Sequence, residues 1–279
     1  MTILNTNAPA KFSSSQPDPL VLALERLARE AGTAILQIKR AGMGTRMKVD
    51  GSPVTEADLA ADAVIAKGLA RLLPAMPIIS EEADCDQPYL DDPHIPFILV
   101  DPLDGTREFV TGSSDYTVNI ALIVARRPVL GVVHRPEDGL SWVGDLRGLD
   151  DGAWQIGPDG VPRSIQTRKA QTPLAVTASH SHLDPQTRNF LERLGPHHLV
   201  QRGSSVKFCI IAEGQADFYP RFGPTMEWDT AAGDAVLCAA GGLVLDIDRQ
   251  PFLYGKLETG CRNGGFFALG DPSLTSILD

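Results

Sequence analysis

Phe97-Ile98-Leu99-Val100 runs without a break into Asp101-Pro102-Leu103-Asp104-Gly105-Thr106. A short, continuous apolar run of this kind reads as a buried strand. Pro102 biases Asp101 toward an extended backbone, so the aspartate continues the strand and carries its carboxylate off the end. Asp104 follows after a turn, and Gly105 permits positive φ or a close backbone approach to a ligand. Thr106 to Phe109 then opens a helix, whose free N–H groups favour a phosphate. One segment therefore supplies carboxylates and an anion cradle at a strand end.

The surrounding pattern fits that demand. Leu22, Leu24, Leu27, Ala31, Ala34, Ile35 and Ile38 recur at helical spacing, which predicts an amphipathic helix from Leu20 to about Lys39. A second helix is expected from Thr55 to Leu73, closed by Pro74. Strands are expected over 76–79, 96–100, 116–124 and 129–134, with Arg126-Arg127-Pro128 as a turn. Residues 146–171 are rich in Gly and Asp and weakly patterned, so a boundary is placed there, at about residue 170. Beyond it, strands over 174–178, 216–221, 243–247 and 265–269 alternate with helices over 185–194, 204–212 and 230–240. The expected organisation is a disordered tail over 1–18, an α+β domain over 19–170 and an α/β domain over 171–279, with a cleft between the two halves.

Composition excludes some partners. The 279 residues are 43% hydrophobic, enough for a full core, and 25 basic against 35 acidic residues leave a net charge of −10. Such a chain has no basic field for a nucleic-acid polymer or an anionic membrane. No stretch reaches the roughly 20 apolar residues of a transmembrane helix, and residues 1–18 lack a secretory signal's apolar core, so a cytoplasmic protein is expected. Cys85, Cys209, Cys238 and Cys261 are widely spaced without a CxxC pair and read as buried, reduced thiols.

Four acidic segments stand at element ends: Thr55-Glu56-Ala57-Asp58, Ser80-Glu81-Glu82, Asp101 to Thr106, and Glu227-Trp228-Asp229. Alone, Thr55 with Asp58 is a helix capping box, Glu81-Glu82 a solvated pair and Asp229 an N-cap. Together they are carboxylates whose mutual repulsion calls for cations. Oxygen donors without a matching His or Cys set point to Mg²⁺ or Mn²⁺ over zinc. The chemistry this suits is hydrolysis of a phosphate ester.

These residues resemble the lithium-sensitive, magnesium-dependent inositol monophosphatase superfamily. The resemblance rests on Asp50-Gly51-Ser52-Pro53-Val54-Thr55-Glu56-Ala57-Asp58, Ser80-Glu81-Glu82, Asp101-Pro102-Leu103-Asp104-Gly105-Thr106 and Trp228-Asp229-Thr230-Ala231-Ala232-Gly233, in order along the chain. It implies an α-β-α-β-α five-layered sandwich of the α/β class. It further implies that Glu81, Asp101, Asp104, Asp229 and the Leu103 carbonyl hold two or three Mg²⁺, with Mn²⁺ as a substitute. Asp58 and Thr106 would orient and deprotonate the attacking water, and Gly105 with Thr106 would hold phosphate oxygens.

Within the superfamily, Gly203 to Cys209, Ala212 to Asp217, Tyr219 to Thr225 and Ser179-His180-Ser181-His182 are similar to CysQ-type 3′(2′),5′-bisphosphate nucleotidases. That similarity implies substrate contacts from His182, Ser204, Lys207 and Arg221 beside Asp229. Lys207 also reads as a solvated helix residue and His182 as a polar group at a helix start. His180 and Asp234 depart from the pattern, where Arg and His are usual. The implied substrate is a small phosphate ester, foremost 3′-phosphoadenosine 5′-phosphate, with its phosphosulfate as a further candidate. Inositol-monophosphate or sugar-bisphosphate hydrolysis and a catalytically silent nucleotide sensor stand as alternatives. The resemblance admits a monomer or a homodimer, and weak peripheral association with the cytoplasmic face of the inner membrane.

Overall fold

The computed structural model describes residues 16–42, 45–47, 53–83, 92, 94–148, 151–179 and 184–278. In chain order the elements are α1 (Pro19–Ala41), β1 (Thr45–Met47), β2 (Pro53–Thr55), α2 (Glu56–Leu72), β3 (Ile78–Ser80), β4 (Phe97–Asp104), α3 (Thr106–Val110), β5 (Thr117–Val124), β6 (Arg127–Arg135), β7 (Leu140–Asp145), β8 (Gly152–Ile156) and β9 (Pro162–Ile165). There follow β10 (Leu174–Ser179), α4 (Pro185–Arg193), β11 (His197–Arg202), α5 (Val206–Ala212), β12 (Phe218–Arg221), β13 (Thr225–Met226), α6 (Ala231–Ala239), β14 (Leu243–Asp246), β15 (Arg262–Asn263) and β16 (Phe266–Leu269), with 3₁₀ turns at Leu257–Thr259 and Pro272–Ile277.

The two opening helices form for local reasons. Asp18 caps α1, its carboxylate accepting from the Leu20 amide at 2.8 Å, and Pro19 starts the first turn. Lys39 and Arg40 in the last turn suit the negative end of the helix dipole. The expected tail otherwise lies, over residues 1–15, outside the described residues. At α2, Thr55 and Asp58 make the capping box the sequence predicts.

Strands β3 to β9 form a seven-stranded sheet in sequence order, antiparallel except for the parallel β3–β4 pair. Alternation sorts its side chains. Ile98, Val100, Ile120, Val132 and Val143 pack with Leu24, Ala28 and Ile35 of α1 and Ala61 and Ile65 of α2. Leu99, Ala121, Val133 and Trp142 face the other way, toward Phe208 of α5 and Val236 of α6. The second sheet has the order β11-β10-β12-β16-β14. Tyr219, Val244, Phe266 and Ala268 join the cluster around α5 and α6, while Val176, Phe218, Leu245 and Phe267 turn outward to Leu191 of α4 and Leu274. Helices, sheet, helices, sheet and helix thus make the layered α/β fold.

Helix α6 lies unusually close to the first sheet. A Cβ at Gly144 would stand 2.7 Å from the Ala235 carbonyl oxygen and 2.7 Å from Val236 Cα, and one at Gly131 would collide with the Ala232 carbonyl. Two side-chain-free strand positions, one in β6 and one in β7, let helix backbone rest on sheet backbone.

Several differences from expectation stand out. The turn expected at Arg126-Arg127-Pro128 is made by Ala125 and Arg126, and Arg127 and Pro128 already pair in β6 with Val124 and Ile123. The strand expected to stop at Val100 continues to Asp104, with a register shift between Asp101 and Asp104. The weakly patterned stretch contains β9, a short edge strand, and β8 beside it, where polar residues such as Gln155 and Arg163 interrupt the apolar pattern. Strand β11 was not foreseen, because it too is an edge strand and most of it is exposed. Cys209, Cys238 and Cys261 are free thiols, and Cys85 lies outside the described residues. Among the described residues no helix is long and apolar enough to cross a membrane.

Candidate active site

The parallel pairing of β3 with β4 sets Ser80 opposite Val100, and the Glu81 amide donates to the Val100 carbonyl at 3.1 Å. Glu81 and Asp101 therefore leave adjacent strand ends together. Asp101 Oδ1 accepts from the Leu103 amide at 3.0 Å, turning the chain so that Asp104 emerges at the same end. Asp229 arrives from the turn before α6, with Oδ2 accepting from the Met226 amide at 2.8 Å. Carboxylate oxygens of Asp101, Asp104 and Asp229 all lie within 4.8 Å of one another. Glu81, Leu103, Gly105 and Thr106 line the same cleft of about 290 Å³.

The electrostatics are those of a cation site. Burial, and then the charges of Glu81, Asp104 and Asp229, push the Asp101 carboxyl well above the usual carboxylate range. Burial and Asp104 push Asp229 up to about 7. Acids placed this close cannot all ionise cheaply unless a positive charge sits among them. The donors are all hard oxygens, which fits a divalent cation of the magnesium or manganese kind.

A polar net fixes the cluster from behind. Asp104 Oδ2 accepts from the Ser204 hydroxyl at 2.5 Å, the Ser205 amide at 2.8 Å and Asn119 Nδ2 at 3.3 Å. The Asn119 amide also donates to Ser205 Oγ at 2.9 Å, and that hydroxyl donates to the Asp229 carbonyl at 2.7 Å. Asn119 and Ser205 thereby join two carboxylate-bearing segments. Sequence reasoning passed over both. Asn119 did leave a signal, as an amide within the otherwise apolar run Val118 to Val124.

On the α2 side, Thr106 Oγ1 lies within hydrogen-bonding range of both Asp58 Oδ1 and the Leu103 carbonyl. Asp58 Oδ2 accepts from the Thr55 amide and hydroxyl, each at 2.7 Å. Burial raises the Asp58 carboxyl despite those bonds. Gly105 caps the five-residue α3 with φ 89°, and a Cβ there would press on the Asp115 carbonyl at 3.2 Å. Glycine is what this left-handed turn requires.

Ser204, Lys207, Tyr219 and Arg221 line the same cleft. Lys207 is buried; its ammonium donates to the Ser204 carbonyl at 2.6 Å and stands 5.3 Å from the centre of the Tyr219 ring. Arg221 donates to the Tyr219 hydroxyl at 3.3 Å and to the Pro224 carbonyl at 3.1 Å. Tyr219 escaped the sequence reading, since an aromatic on a strand looks like core. Asp234 does not line the cleft: it is buried in α6, accepting from the Tyr254 hydroxyl at 2.9 Å and from Cys238 Sγ at 3.1 Å. His180 and His182 lie outside the described residues, as do Asp50, Gly51 and Ser52.

Known proteins share this fold. The model of the inositol monophosphatase family matches residues 16–269. A protein of Salmonella typhimurium named 3′(2′),5′-bisphosphate nucleotidase CysQ is 46% identical over 238 residues, spanning 84% of this chain and 93% of that protein. Its namesake in Escherichia coli K12 is 45% identical over the same shares. The crystal structure of CysQ from Bacteroides thetaiotaomicron, a bacterial member of the same family, superposes with a TM-score of 0.76 at 33% identity, covering 90% of this chain and 96% of that one. Phosphatases of this family depend on metal ions, and the cluster of Asp101, Asp104 and Asp229 suits that dependence. By its match from residue 16 to residue 269, and by relatives close to half identical over most of their length, the chain belongs to the inositol monophosphatase family.

Proposed function

We propose that the chain is a Mg²⁺-dependent phosphatase that hydrolyses the 3′-phosphate of 3′-phosphoadenosine 5′-phosphate to AMP and phosphate. The observation that carries this reading is the meeting in one cleft of the Asp101, Asp104 and Asp229 carboxylates with the Lys207 and Arg221 cations. A bisphosphate needs two charge-neutralising regions, and a monophosphate needs one. The name carried by the 45–46% identical relatives supports the same substrate.

When bound, divalent cations would supply Lewis-acid charge to the phosphoryl oxygens and lower the pKa of the attacking water. Glu81, Asp101, Asp104, Asp229 and the Leu103 carbonyl would hold them. Thr106, with its hydroxyl aligned by Asp58, would accept a hydrogen bond from the water and pass its proton toward the carboxylate. Gly105 and Thr106 would steady the phosphoryl oxygens through backbone N–H groups as the water oxygen bonds to phosphorus and the bond to the 3′ oxygen breaks, that oxygen taking up a proton from solvent to leave as the 3′ hydroxyl of AMP. Lys207 and Arg221, with Ser204 and His182 at the nucleotide, would hold the remote phosphate, since charge-assisted bonds from fixed cations give both affinity and orientation.

In this reading the reaction recycles a nucleotide left by sulfate transfer, in sulfur assimilation, and the phosphosulfate is a second substrate for the same cleft. A phosphate-release panel with the bisphosphate nucleotide, its phosphosulfate, inositol 1-phosphate and a sugar bisphosphate tests it. The nucleotides should have the highest kcat/KM, and preference for inositol 1-phosphate would overturn the substrate assignment. Release from none of them, at saturating Mg²⁺, would favour a silent nucleotide-binding protein.

A further inference from the structure

We propose that Glu227 and Lys256 form a clamp that positions Asp229 for its cation; this rests on the reading of Asp229 as a metal ligand. Glu227 is fully buried two residues before Asp229, yet it does not line the cleft. Its carboxylate accepts from the Gly255 amide at 2.7 Å, the Lys256 amide at 3.0 Å and the Lys256 ammonium at 2.7 Å. A buried carboxylate is costly unless its lone pairs are met, and these three donors meet them. The ammonium of the partly exposed Lys256 stands 5.5 Å from the Phe252 ring centre and 5.4 Å from that of Tyr254, and it donates to the Leu253 carbonyl.

The backbone transmits the grip. The Glu227 amide donates to the Cys261 carbonyl at 2.8 Å, and the Glu227 carbonyl accepts from the amides of Thr230 and Ala231 at 3.2 and 3.0 Å. The Asp229 amide returns to the Met226 carbonyl at 3.2 Å, within the same turn. Asn263 closes the other side, donating to the Met226 carbonyl and to the Thr230 hydroxyl, each at 3.0 Å. Glu227 and Asp229 thus project from one tight turn, the first into the 252–263 segment and the second into the cleft. Holding the first fixes the second. Groups that orient a metal ligand from behind are typically worth about 10–100-fold in metal affinity or activity.

The test is calorimetric titration of Mg²⁺ into the full chain, with a thermal melt of each variant. Lys256→Met should raise the Mg²⁺ dissociation constant about tenfold or more, and Lys256→Arg, which keeps a cation against Glu227, should restore most of it. Glu227→Gln should behave like Lys256→Met; if it fails to fold, the partly exposed Lys256 still decides the matter. A lower melting temperature with unchanged Mg²⁺ affinity in Lys256→Met would overturn the clamp and leave only a structural ion pair. Asp229→Asn runs in parallel. If it leaves Mg²⁺ affinity intact, the metal reading of Asp229 fails; if it abolishes binding while Lys256→Met does not alter it, the clamp alone fails.

Discussion

The Thr106 hydroxyl oxygen lies 3.2 Å from Asp58 Oδ1, although 48 residues separate the two in the chain. The contact ties the first turn of α2 to the start of α3, and the other Asp58 oxygen is already committed to Thr55. Thr106→Ala and Asp58→Asn should each lower kcat by about 10²–10⁴-fold, the usual worth of general-base assistance. Mg²⁺ affinity should change little. Calorimetric affinity beside steady-state kcat checks this, and wild-type turnover in both variants would remove the assigned roles.

Asp101→Asn should show opposite signs in two measurements. Without metal, burial and neighbouring charges make an ionised Asp101 unfavourable, so the neutral variant should melt higher than wild type when both are stripped by chelator. With Mg²⁺ it should lose most of the metal-induced rise in melting temperature and orders of magnitude in turnover. Full activity in excess chelator would refute the metal requirement.

Substrate choice can be read from the two cations of the cleft. Lys207→Met and Arg221→Met should raise KM for the bisphosphate nucleotide about 10–150-fold, the value of a charge-assisted contact of about 1.5–3 kcal/mol. Inositol 1-phosphate, which lacks the remote phosphate, should be affected far less. The loss of Arg221 should be felt at the metal side, because its charge acts on Asp229 and Asp104. Lys207 also bonds the Ser204 carbonyl, and the Ser204 side chain bonds Asp104, so its loss should reach the metal side as well. Equal weakening of both substrates would argue against a second phosphate site.

His134 predicts an acid-sensitive window. It is buried, its Nδ1 is 2.9 Å from Ser141 Oγ, and burial, with the Arg29 charge next, lowers its pKa to about 3. The native state therefore holds this ring neutral while the unfolded chain takes up a proton below about 6.5. Its contribution is complete above that value and declines by about 1.4 kcal/mol per pH unit as pH falls toward 3. His134→Gln should flatten the slope of urea stability between pH 6.5 and 4 relative to wild type. An unchanged slope would mean that the ring is protonated in the native state.

The sequence disclosed the site better than it disclosed the sheets. Asp101, Asp104 and Glu81 could be found because an apolar run ending in acids has few structural uses. The net behind them could not, because Asn119 and Ser205 reach Asp104 from strand and helix positions that meet only after both sheets pack on α5 and α6. Edge strands β9 and β11 were invisible for a related reason: a strand with little to bury shows no alternation. Glu227 was noticed as an acid beside Asp229, but nothing local separates a carboxylate facing a cleft from one facing a lysine 29 residues downstream.

The side-chain-free contact of α6 with Gly131 and Gly144 sets a tolerance for the chemistry. Asp229 sits at the head of a helix whose height above the sheet is fixed by main chain against main chain, with only the Ala235 methyl beside that contact. A methyl group at either glycine would act as a shim under one end of a rigid rod. The displaced end would carry Asp229 away from Asp101 and Asp104, which come from the sheet below. Loss of alignment at the carboxylates, more than loss of folding, is the failure such a shim would produce.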